Sequence, residues 1–155
     1  MTTTLNEPTT LGLQRLFVSQ TTELTAVPGG TTTVDISVTV PGDLPTTLPF
    51  TAQTFTAPTG FTFDYSKLPT YAYYLPLGET GHFNPEGFDF IADHRVLVLW
   101  AKIELNTSPT KGAQLTYTLP MIADKAATPG THSSDGSVTI GLYGGAVLTG
   151  NIVKP

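Results

Sequence analysis

Residues 31–40 read Thr31-Thr32-Thr33-Val34-Asp35-Ile36-Ser37-Val38-Thr39-Val40. Val34, Ile36, Val38 and Val40 alternate with Asp35, Ser37 and Thr39. That is the period of two by which a strand buries one face and wets the other. Turn chemistry stands on both sides, Pro28-Gly29-Gly30 before and Pro41-Gly42-Asp43 after. The segment is therefore a strand with one buried face, and its neighbours repeat the pattern.

Glu23–Val27 reads as a strand entering the first turn. Further strands are expected at 50–56, 60–65 and 71–75, punctuated by Pro58, Gly60, Pro69 and Pro76. Phe88 and Phe90 alternate ahead of an apolar run, Val96–Leu105, that contains Trp100. Gln114–Met121 alternates again with Leu115, Tyr117 and Leu119 on one side. Asp135-Gly136 signals a turn, Ser137–Leu142 a strand with Val138 and Ile140 inward, and Ala146–Val153 a last strand. One short helical turn is expected at 123–128. Pro49 and Pro120 fit sheet edges or corners, because proline cannot donate to a ladder. Roughly eight to ten strands at spacings of about 8–12 residues predict an all-β, immunoglobulin-like antiparallel β-sandwich with no long helix. Residues 1–10 read as a flexible lead and 11–155 as a single β-sandwich domain.

Composition agrees. Of 155 residues only 12% are charged, 29 are threonine, 15 glycine and 13 proline. β-Branched residues suit pleated strands, and glycine with proline suits turns. There is no cysteine, so neither disulfides nor a thiolate metal site contributes. Seven basic residues are scattered along a chain of net charge −5. A phosphate backbone meets no basic stripe, so no nucleic-acid partner is expected. No stretch approaches the length needed to span a bilayer as a helix, so no membrane insertion is expected. Residues 1–20 lack the basic start, apolar stretch and cleavage site of a leader. Either the protein is not exported by that route, or Met1 stands where a leader has been removed.

Three stretches carry a resemblance. The first is the alternating Gln114–Leu119 strand followed by Ala123-Asp124-Lys125-Ala126-Ala127-Thr128-Pro129-Gly130-Thr131. The second is Asp135-Gly136-Ser137-Val138-Thr139-Ile140-Gly141. The third comprises Val27–Val34 and Ala57–Phe63. Together they resemble the immunoglobulin-like repeat domains of bacterial secreted and surface proteins, of the actinobacterial type. The resemblance implies spacing, adhesion or assembly outside the cell, and brings no catalytic residues to transfer. This chain departs from those domains in length, with residues 64–95 looking like an insertion.

The residues themselves nominate no catalytic group. His82, His94 and His132 lack zinc spacing. Glu86, Asp89 and Asp93 are the densest acidic group but lack a calcium-loop pattern. Ser133, Ser134, His132 and Asp135 lie together without a nucleophile elbow. Neither enzyme activity, a cofactor nor a metal is expected.

Two features mark binding. Tyr71, Tyr73 and Tyr74, with Tyr65 nearby, concentrate aromatic rings that either present a surface for sugar or protein, or pack in the core. Leu11, Leu13, Leu16, Phe17 and Val18 form an apolar extended segment that pairs with this protein's own sheet, or with a neighbour's by strand exchange. The expected function is a non-catalytic structural or interaction module, a subunit or adaptor in an extracellular protein assembly. The partner is expected to be a protein or a second copy, with a glycan as an alternative. A virion decoration or tail accessory protein and a carbohydrate-binding module are the competing readings.

Overall fold

A computed structural model describes residues 16–40, 47–67, 69–74, 80–81, 87–104, 113–141 and 144–155, with side chains described except at 47–51, 71–74, 80–81, 101–104 and 113. Twelve strands and no helix are present among these residues, and ten of the strands are longer than two residues. They are β1 (Phe17–Gln20), β2 (Thr25–Ala26), β3 (Thr31–Val40), β4 (Thr47–Thr56), β5 (Phe61–Phe63) and β6 (Thr70–Tyr74). The rest are β7 (Thr80–Gly81), β8 (Gly87–Ile91), β9 (Val96–Glu104), β10 (Ala113–Ala123), β11 (His132–Ile140) and β12 (Gly144–Ile152).

One sheet runs β1-β3-β10-β6-β7, with β5 also on β10; the other runs β2-β12-β11-β4-β9-β8. These orders match the two sheets of an immunoglobulin-like sandwich with two extra strands beyond the fourth strand of the second sheet. The chain reaches them by an unusual route. After β4 it crosses to the other sheet for β5 and β6, and only then returns through β8 and β9 to pair with β4.

The alternation read in β3 becomes one wall of the core. Val34, Ile36, Val38 and Val40 are fully buried, as are Leu115, Tyr117 and Leu119 opposite them on β10. Phe55, Leu97, Leu99, Val138, Ile140 and Leu148 come from the other sheet. Burying each such side chain stabilises the fold by about 1.5–3 kcal/mol before entropy is counted. Phe55 and Tyr117 meet across the layers with ring centres 5.2 Å apart. The Tyr117 hydroxyl donates to buried Gln53 Oε1 at 2.6 Å. Ser37 departs from the alternation. It is buried on the other face of β3, where Gln114 Nε2 donates to its Oγ at 2.6 Å.

Three local expectations give way. Residues 123–128 make a single turn, closed by Ala127 N donating to Asp124 O at 3.0 Å, instead of a helical turn. Asp135-Gly136 sits inside β11 at a register shift rather than in a turn. A Cβ at Gly136 would lie 2.8 Å from Thr56 O, so only glycine permits that approach. Pro120 lies within a central strand rather than at an edge. β10 pairs with β6 up to Thr118 and with β5 from Met121, so its missing N–H falls where the partner changes.

The two sheets are tied together along one side by Gln20. Its side-chain amide acts as an extra ladder rung, with Nε2 donating to Thr149 O at 3.0 Å and Oε1 accepting from Thr149 N at 2.9 Å. β2 runs parallel to β12 immediately beyond, with Thr25 beside Asn151 and Ala26 beside Ile152.

Candidate functional site: an aromatic edge on a strained hairpin

The opposite side of the sandwich is closed by rings. β8 and β9 form a hairpin whose last pair is Ile91 with Val96, leaving Ala92-Asp93-His94-Arg95 as the loop. Ala92, Asp93 and His94 have φ of 53°, 57° and 65°. Three successive non-glycine residues in the left-handed region cost roughly 1–2 kcal/mol each. The surroundings hold them there. His94 O accepts from Phe63 N at 2.8 Å, Arg95 O accepts from Ala57 N at 2.8 Å, and Arg95 Nη2 donates to Ala57 O at 3.1 Å. Strain of this kind persists only where neighbouring structure over-determines the backbone.

The neighbouring turn is fixed as firmly. Asp64 is buried, and its Oδ1 accepts from Ser66 N at 3.1 Å and from Ser66 Oγ at 2.5 Å. Asp64 N donates to Pro120 O at 2.9 Å. Lys67 Nζ lies 3.8 Å from Asp64 Oδ2. Tyr65, between these groups, is therefore held outward and is 63% exposed.

These two anchored turns bring five rings into one run. Tyr65 stacks on His94 with centroids 4.2 Å apart and planes at 20°. Phe90 meets His94 edge-on at 6.1 Å, Phe88 edge-on at 5.8 Å and the buried Phe63 at 6.1 Å. The run begins in the core at Phe63 and ends at the surface, where Phe88 is 43% and Ile91 47% exposed. Asp89 and Asp93 are exposed on the same hairpin, and among the described residues neither is in an ion pair.

Loop 57–60 is pinned from a third side by Asp135. Thr59 N donates to Asp135 Oδ1 at 2.7 Å, the Thr59 hydroxyl donates to Oδ2, and Ser133 Oγ donates to Thr59 O at 2.8 Å. The hydroxyl and amide of Thr59 together hold the Asp135 carboxyl below the usual carboxylate range.

Of the residues singled out in the sequence, Tyr71, Tyr73 and Tyr74 lie in β6, in register with Tyr117, Leu115 and Gln114. Their side chains lie outside the described ones. Leu11 and Leu13 also lie outside the described residues, as do His82 and Glu86. Leu16 is buried, Val18 half-buried and Phe17 exposed; residues 17–20 pair with β3 of the same chain. His132 does not meet Asp135. Its Nδ1 is 2.5 Å from Asn151 Oδ1, at an open cleft of about 300 Å³ that Gln20, Thr22 and Glu23 also line. Among the described residues no three His, Asp or Glu side chains converge as a metal site would require.

The aromatic edge was only half visible in the sequence. Tyr65, the Phe88/Phe90 alternation and His94 stand out in the sequence, His94 only as a metal-ligand candidate, whereas the tight hairpin that joins them does not. Ala92-Asp93-His94-Arg95 has one turn-forming residue, Asp93, and no glycine, proline or asparagine beside it, a weak signal for a tight turn.

No family model and no curated protein matches the chain. Solved structures are similar in outline. The group B streptococcus pilus 2b backbone protein is 9% identical, with a TM-score of 0.49, over 84% of this chain and 56% of that one. ACE19, the collagen-binding subdomain of the Enterococcus faecalis surface protein ACE, is 8% identical, with a TM-score of 0.47, over 87% and 92%. AvmM, which catalyses macrocyclization in alchivemycin A biosynthesis, is 11% identical, with a TM-score of 0.42, over 92% and 90%. At such scores these likenesses indicate no activity, and the fold assignment rests on the strand order itself.

Proposed function

We propose that the chain is a non-catalytic interaction module of an extracellular protein assembly, which engages a protein partner through the aromatic edge of β8 and its hairpin. The observation that carries this reading is the continuous run of rings from buried Phe63 to exposed Phe88 and Tyr65 on two rigid turns. Exposed aromatic side chains held without rotamer freedom are the anchors that dominate protein interfaces. Backbone strain stored beneath them supports the same reading, since strained residues concentrate at ligand clamps.

A photo-crosslinking residue placed at Phe88, at Tyr65 or at the exposed control site Lys125 tests it in cells of the source organism. Discrete protein adducts from the first two positions and none from Lys125 are expected. Adducts from all three alike, or from none, would refute the reading.

A further inference from the structure

Five described strands have a strand partner on one side only, β1, β2, β5, β7 and β8. β2 and β7 are two residues long, β5 three and β1 four. β8 is five residues long and is paired without a bulge from Gly87 opposite Trp100 to Ile91 opposite Val96. No described strand covers its outer side. Proteins blunt such edges with charged side chains, lysine above all, with proline or with a bulge. Gly87-Phe88-Asp89-Phe90-Ile91 has no lysine, proline or bulge. Its one charge is the acid at the midpoint, which opposes an acidic strand and admits a cationic one.

We infer that β8 accepts an extended, cationic segment of a partner protein as an added antiparallel strand. This rests on the interaction-module reading and specifies its partner. Five residues make an edge about 17 Å long that no described strand pairs with on its outer side. The pinned hairpin presents that backbone already in its bonded shape, which removes an ordering cost of association. Charge selects the occupant. Asp89 stands at the centre of the edge and Asp93 at its end, both exposed and outside any described ion pair. A lysine or arginine directly across from Asp89 gains an opposite-charge cross-strand pair. Phe88 lies on the opposite face of the strand, where the apolar side chains of an alternating cationic/apolar segment would meet its exposed ring. A second copy of this chain is selected against, because antiparallel pairing of two β8 strands about their centre sets Asp89 against Asp89.

The test uses the full chain and three acetylated nine-residue peptides: alternating Lys and Val, alternating Glu and Val, and the Lys/Val peptide N-methylated on alternate backbone nitrogens. The Lys/Val peptide is expected to bind, and to slow amide hydrogen exchange across Phe88–Ile91 at least tenfold at saturation. The Glu/Val and N-methylated peptides are expected to bind at least tenfold more weakly, and Asp89→Lys to reverse the preference between Lys and Glu. Binding that survives N-methylation, or that leaves Phe88–Ile91 exchange unchanged, overturns strand addition. If the crosslinks at Phe88 and Tyr65 form but these amides stay unprotected, strand addition falls while the interaction reading stands. If the crosslinks fail as well, both fall.

Discussion

Replacing Tyr117 by phenylalanine removes a single oxygen from the centre of the core, and its effect can be worked through from the contacts. That oxygen donates to Gln53 Oε1 at 2.6 Å, with both residues fully buried. Gln53 Nε2 already lacks a hydrogen-bond partner among the described residues. In Tyr117→Phe the amide stays buried while its oxygen loses the bond that satisfied it. The ring keeps its packing on Phe55, so no large cavity opens. A buried acceptor left unsatisfied costs about 1–3 kcal/mol. With a urea slope of about 2 kcal/mol/M, a loss of about 2 kcal/mol lowers the unfolding midpoint by about 1 M at unchanged slope. The second substitution is decisive. Gln53→Met in the Tyr117→Phe background removes both orphaned atoms at nearly constant volume, and should return about 1–3 kcal/mol. The double variant should thus be at least as stable as the parent. If Tyr117→Phe is neutral, or if adding Gln53→Met restores nothing, the assignment of cost to this amide is wrong.

Three other outcomes are expected. Gly150→Ala places a Cβ 2.5 Å from Cε2 of buried Phe61, so it should lose about 1–3 kcal/mol in a denaturant titration. Part of that loss should vanish in the Gly150→Ala/Phe61→Leu pair, and strict additivity would count against the clash. Ala92→Gly relieves a φ of 53° and should stabilise by about 0.5–1 kcal/mol after the added chain entropy, a melting-temperature rise of about 2 °C. A lower melting temperature would show that the loop is unstrained. Asp135 has a depressed folded pKa, so the stability it contributes is present above its unfolded value of about 3.9 and is lost as pH falls through the folded one. Melting temperatures from pH 7 down to pH 2 should therefore fall less steeply for Asp135→Asn than for the parent. Parallel curves would remove Thr59 as the cause.

Local chemistry was legible where one strand face is wholly buried. The alternations in Val34–Val40 and Leu115–Leu119 named their inward residues without help from the rest of the chain. Ser37 breaks the rule locally: Thr33 and Thr39 on the same face are exposed, but the Gln114 side chain from β10 lies on Ser37 and is bonded to it. Pairing was illegible because it is non-local. β4 bonds to β9 between residues that lie from 40 (Thr56 and Val96) to 57 (Thr47 and Glu104) positions apart, and no spacing rule announces that the chain will visit the other sheet in between. The aromatic edge was hidden for the same reason. Tyr65 and His94 are 29 positions apart, and they meet because backbone bonds from Phe63 and Ala57 seat the hairpin loop. Tyr71, Tyr73 and Tyr74 lie in β6, where the alternation at 71–75 predicts a strand, and their side chains lie outside the described ones.

The bond pattern between β2 and β12 has a mechanical consequence. The described chain starts at Leu16, whose carbonyl oxygen would lie 2.5 Å from a Cβ at Gly144, the first residue of β12. It leaves beyond Ile152, the last residue of β12, so entry and exit lie at opposite poles. Tension applied at Leu16 and at Val153 pulls β1 and β2 one way and β12 the other, along their common axis. The bonds from Asn151 N to Leu24 O at 2.8 Å and from Val153 N to Ala26 O at 3.0 Å, with the Gln20 amide on Thr149, lie across that load. Loaded in shear, they must rupture together instead of peeling one after another. A chain pulled at Leu16 and Val153 therefore meets its greatest resistance at the first event, before either sheet has opened.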